Sequence, residues 1–91
     1  MNANNDNLDP AHVAWSQNVF RMITDGGVWG VPRSGLMFTK RGDKLVLTAR
    51  MPHMAGMPCS AAELAEQQQD DYEGIKRHME AAGITVEDAS S

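Results

Sequence analysis

Ninety-one residues, a net charge of −4, one cysteine and 42% hydrophobic content describe a single-domain chain, too short for a large enzyme with a deep, enclosed site. One Cys excludes an internal disulfide and a cysteine-built zinc site, and no run approaches the roughly 18 apolar residues of a membrane span. Residues 1–9 are rich in Asn and Asp rather than basic and then apolar, so neither a secretory nor a transit segment is expected, which points to the cytoplasm.

Residues 1–8 read as a frayed leader, residues 9–88 as one α+β domain and 89–91 as a tail. Asp9-Pro10 is a helix start, Asp as N-cap and Pro at the first helical position. Val13, Phe20 and Ile23 follow helical spacing, widened by Trp15, Val19 and Met22. The spacing predicts a helix over about 10–25, with Gly26 as its left-handed terminator.

Three short strands follow. Residues 28–31 run into the turn-forming Pro32-Arg33-Ser34-Gly35, residues 36–39 into Lys40-Arg41-Gly42-Asp43, and residues 44–50 form the longest candidate. Leu45, Leu47 and Ala49 are expected on one face, opposite Leu36 and Phe38 as inward partners. The product is a three-stranded antiparallel meander, which needs a covering layer to be stable.

Residues 51–59 carry two prolines and a glycine and read as an ordered loop. Ser60 and Glu63 match a capping box, opening a long helix that ends near Ala82 with Gly83 beyond it. Its apolar stripe is thin: Leu64, Tyr72, Ile75, Met79 and Ala82, with Gln68 at the missing step. Residues 84–86 have the composition of a short fourth strand. Both helices are expected on one face of the meander, unless one mediates a dimer, and so small a core makes homo-oligomerisation a reasonable expectation.

Charge is segregated along the chain. Residues 30–50 hold five basic residues against Asp43, a net +4, whereas residues 60–91 hold eight acids against Lys76 and Arg77, a net −6. The acidic average argues against duplex DNA, while the basic block suits a small anion, a nucleotide or an acidic protein surface. The ordinary reading is that Lys and Arg guard strand edges.

The ligand candidates lie in residues 26–41. Trp29 beside glycines offers a flat face for a base, Arg33 a planar fork for a phosphate, Ser34 further hydrogen bonds, and Lys40 and Arg41 positive charge. The plainer alternative puts Trp29 in the core and Arg33 on a solvated turn. A second cluster, Met51, His53, Met54, Met57 and Cys59, supplies the soft donors that select Cu(I), against the plainer role of Met as gap-filler over a core. A nucleophilic Cys59 with His53 or His78 lacks an orienting third group. No phosphate-loop or dinucleotide motif is present, so no enzyme and no cofactor are expected.

The segment Val-Trp-Gly-Val-Pro-Arg-Ser-Gly at 28–35, in a small acidic chain with one cysteine and no enzyme motif, resembles small accessory proteins of tailed phages. That resemblance implies a counter-defence role in a host cytoplasm: inhibiting a host complex, or sequestering nucleotide signals as an oligomer. It transfers no residue roles. The favoured expectation is a non-enzymatic binding module that takes an anionic, nucleotide-like molecule or an acidic partner on its basic meander. The alternative is an interaction protein acting through the acidic helix 60–82.

Overall fold

A computed structural model describes residues 10–90. The order is α1 (Pro10–Met22), β1 (Val28–Val31), β2 (Leu36–Arg41), β3 (Lys44–Arg50), α2 (Ala61–Ala81) and β4 (Thr85–Asp88). The strands form one sheet in the order β1-β2-β3-β4, antiparallel except for the parallel pair β3–β4. The architecture is α+β with the expected meander, and the fourth strand makes the sheet mixed. A parallel neighbour requires a crossover, and α2 supplies it. The leader at 1–8 and the Asp9 cap lie outside the described residues.

α1 ends three residues earlier than its spacing predicts. Ile23 closes a tight turn onto the Phe20 carbonyl, and the Gly26 amide bonds Lys40 of β2 instead of continuing the helix. Gly26 is left-handed, at φ 81°, in the turn that leads into β1. α2 follows its sequence signals closely. Ser60 Oγ accepts from the Glu63 amide while the Glu63 carboxylate accepts from the Ser60 amide, which holds the Glu63 carboxyl below its ordinary range. At the other end, the Gly83 amide bonds Glu80 and the Ile84 amide bonds Met79, the paired bonds of a Schellman stop.

Both helices cover one face of the sheet. Leu36 and Phe38 of β2, Leu45 and Leu47 of β3 and Val86 of β4 are buried against Tyr72 and Met79 of α2, with Val19, Phe20 and Ile23 of α1 packed beside them. An aromatic row crosses this core, from Trp15 to Trp29 (ring centroids 6.3 Å apart), Trp29 to Phe38 (5.5 Å) and Phe38 to Tyr72 (6.3 Å). Ala49 does not share the face of Leu45 and Leu47. A bulge between Met37 and Phe38 pairs Ala49 with Met37, and Met37 points away from the helices. An inserted residue reverses the alternation beyond it.

Gln68, at the gap in the α2 stripe, is buried. Its Nε2 donates to the carbonyls of Ser34 (3.0 Å) and Met51 (2.9 Å), tying the β1–β2 turn and the exit of β3 to α2. Gly35 completes this node: its φ is +74°, and a Cβ there would overlap the Met51 side chain. The chain remains docked past β4, since Ala89 donates its amide to Leu47 and the Ser90 hydroxyl bonds Asp88.

Candidate functional site

The charge segregation of the sequence resolves into pairs within the chain. Arg33 forms a two-pronged bond to Asp71 of α2, Nη2–Oδ1 2.6 Å and Nε–Oδ2 3.3 Å. Lys44 bonds Glu87 at 3.2 Å and Arg50 bonds Asp88 at 2.7 Å, both joining β3 to β4. Lys40 points toward the helices, donates to the Phe20 carbonyl at 3.0 Å and lies 4.2 Å above the Phe20 ring. This cation sits where the C-terminal turn of α1 presents its carbonyls. Of the five basic residues in the meander, four are thus engaged within the chain.

The predicted ligand residues separate. Trp29 and Arg33 line one cleft, of about 390 Å³, together with Trp15, Asp70, Asp71, Gly74 and His78. Lys40 and Arg41 lie at the far end of β2, beside the Gly42-Asp43 turn. Ser34 is fully buried and its hydroxyl has no partner among the described residues, so it is out of reach of a ligand. Trp29 is half-buried, with one face stacked at 30° on Phe38 and its ring met edge-on by Trp15. Its stacking capacity is largely used inside the fold.

What surrounds the cleft is aromatic and acidic. Trp15 of α1 is 49% exposed. Asp70 and Asp71 come from α2 against the single lining cation Arg33, whose side chain is 74% exposed while that of Asp71 is 10% exposed. Hydrogen bonding to Asp71 pushes the Arg33 pKa up from its already high value. His78, 4.8 Å from the His12 ring, is held below the ordinary histidine value by burial first, then by His12 and Arg77. Its imidazole is therefore neutral at pH 7. Gly74 lines the cleft from the middle of α2, where a Cβ would meet nothing closer than Arg77 at 4.0 Å. Trp15 and Gly74 were not expected at a site, and Asp70 and Asp71 only as part of the acidic helix face 60–82. Their sequence pattern is that of a helix stripe and a solvated face, and only the meeting of α1, β1 and α2 assembles them.

In the loop 51–60, the soft donors are used to hold the loop. His53 Nε2 meets the Cys59 carbonyl at 2.7 Å, not its thiol, and the Met54 amide donates to Met57 Sδ at 3.1 Å. Met51 packs against Gly35, while Cys59 is half-buried. Among the described residues no three His, Cys, Asp or Glu side chains converge as a metal site, and no helix is long and apolar enough to cross a membrane. Comparison with protein-family models, with curated proteins and with solved structures finds no match to this chain.

Proposed function

We propose that this protein is a non-enzymatic binding module, acting as a cytoplasmic homo-oligomer, that receives a basic side chain of a partner protein in the cleft between α1, β1 and α2. The observation that carries the reading is the lining of that cleft: the exposed indole of Trp15 and the carboxylate of Asp70, beside Trp29 and an Asp71 already bonded to the chain's own Arg33. An exposed indole face and a carboxylate attract an arginine or lysine head group. The basic meander, by contrast, has little uncompensated charge to offer an anion, because Asp71, Glu87 and Asp88 already occupy Arg33, Lys44 and Arg50. Gly74 supports the same reading, since a mid-helix glycine costs about 1 kcal/mol relative to Ala and here keeps the cleft open.

The test is a pair of titrations followed by NMR shifts of the Trp15 and Trp29 indole groups. An Arg- and Lys-rich peptide is expected to move both, and to lose that effect in Asp70→Asn and Asp71→Asn. A nucleoside monophosphate that moves Trp29 instead, and fails to do so in Arg33→Ala, overturns the proposal in favour of an anionic ligand.

A further inference from the structure

The two outer strands of the sheet differ in chemistry. β4 reads Thr-Val-Glu-Asp, and its acids are paired to Lys44 and Arg50 of β3, which is the usual protection of a strand against unwanted pairing. β1 reads Val-Trp-Gly-Val and carries no charge. Its outer position has no strand beside it among the described residues.

The register states which backbone groups β1 leaves open. The Lys40 amide donates to the Gly27 carbonyl, and hydrogen-bonded and non-hydrogen-bonded pairs alternate along an antiparallel ladder. The pairs Trp29–Phe38 and Val31–Leu36 therefore turn their amides and carbonyls toward β2. Those of Val28 and Gly30 point outward. The same two residues place their α-substituents on the sheet face that the helices leave uncovered, since Gly30 pairs with the exposed Met37.

Three further observations meet at this strand. Val28 is 63% exposed, and Met22 of α1, which lines the same hollow beside β1, is 84% exposed. Gly30 has no role that the single chain explains: its φ is not left-handed and a Cβ built there meets nothing within 4 Å. Beside Gly30 lies an apolar pocket of about 340 Å³, lined in part by Met37, Met51 and Pro52.

We infer that β1 pairs antiparallel with β1 of a second copy of this chain. This deepens the oligomeric part of the proposed function, and Trp29, which also lines the cleft, lies at the axis of the pairing. One register uses every open group of the strand: Trp29 opposite the partner's Trp29 at the two-fold axis, with Val28 opposite the partner's Gly30 on each side. The outward amides and carbonyls of both residues then bond reciprocally. The absent side chain of Gly30 leaves room for the valine, which reaches the apolar pocket. An uncharged strand meets its own copy without repulsion, and such an isologous contact closes as a dimer.

Sedimentation velocity over a dilution series tests the assignment, together with amide exchange in the native protein. The native chain is expected to sediment as a dimer with slowed exchange at the Val28 and Gly30 amides. Val28→Lys and Gly30→Lys are expected to sediment as monomers with native circular dichroism, while Thr85→Lys on β4 stays dimeric. A native monomer at every concentration overturns both the dimer and the oligomeric reading. An assembly that survives both β1 substitutions, or fast exchange at Val28 and Gly30 within it, overturns the β1 interface and leaves oligomerisation through another surface.

Discussion

Arg33 and Asp71 stand 38 residues apart in the chain and form a two-pronged ion pair, with the closer contact at 2.6 Å. It ties the β1–β2 turn to the middle of α2 and sets the charge of the cleft. The Arg33 side of the pair is screened by solvent, so the pair contributes modestly to stability, and on the proposed reading its consequence lies in what the cleft accepts. Asp71→Asn is expected to leave the thermal midpoint nearly unchanged and to weaken binding of a basic peptide about tenfold, the scale of one lost charge-assisted hydrogen bond. The same variant frees Arg33, so binding of inorganic phosphate is expected to rise. Parallel calorimetric titrations read both directions.

Gly74 separates stability from function. Gly74→Ala adds a methyl group that clashes with nothing in the fold and is expected to stabilise the protein by about 1 kcal/mol through helix propensity. If the cleft is the working site, the same methyl group narrows it and peptide affinity falls. Urea denaturation and the peptide titration, run on the same variant, are expected to move in opposite senses.

The buried polar groups beneath the β1–β2 turn are unequal. Gln68→Leu leaves the carbonyls of Ser34 and Met51 without their donor and is expected to cost about 2 kcal/mol or more. Ser34→Ala removes a buried hydroxyl with no partner among the described residues. It is expected to be neutral or stabilising by up to about 1 kcal/mol, with ligand binding intact. Equilibrium denaturation of the two variants checks the contrast.

His78 makes stability depend on pH. Burial, and then the nearby His12 and Arg77, lower its pKa in the folded chain relative to the ordinary 6.5. The unfolded chain therefore takes up the proton first. The His78 contribution is complete above 6.5 and is lost as pH falls through the lower folded value. Thermal midpoints of the native protein are expected to drop across that window more steeply than those of His78→Gln. By NMR titration, His12→Ala is expected to move the His78 midpoint upward, because it removes one of the charges that oppose protonation.

The element boundaries that were legible are those written in local chemistry. Ser60, Glu63 and Gly83 delimit α2 because a capping box and a Schellman stop each use only a few consecutive residues. The α1 terminus falls short of its spacing because local turns at Ile23 and Gly27 combine with a bond from Gly26 to Lys40 of β2, and the last of these lies beyond the reach of any local signal. Gln68 looked like a gap in an apolar stripe, since helical spacing records polarity and says nothing of two carbonyls arriving from other segments.

Length, one cysteine and the alternation of 28–50 determined a small α+β domain without a disulfide or a membrane-spanning helix, because these depend on composition and on the fixed periods of helix and strand. The basic and acidic blocks were equally plain, but their meaning was not. Only the crossover through α2 brings Glu87 and Asp88 beside Lys44 and Arg50 and Asp71 beside Arg33. Ion pairing acts over a few ångströms in space and is indifferent to separation along the chain. The tertiary structure therefore decided that four of the five basic residues of the meander are engaged within the chain, and that Asp70 and Asp71 line the same cleft as Trp15 and Trp29.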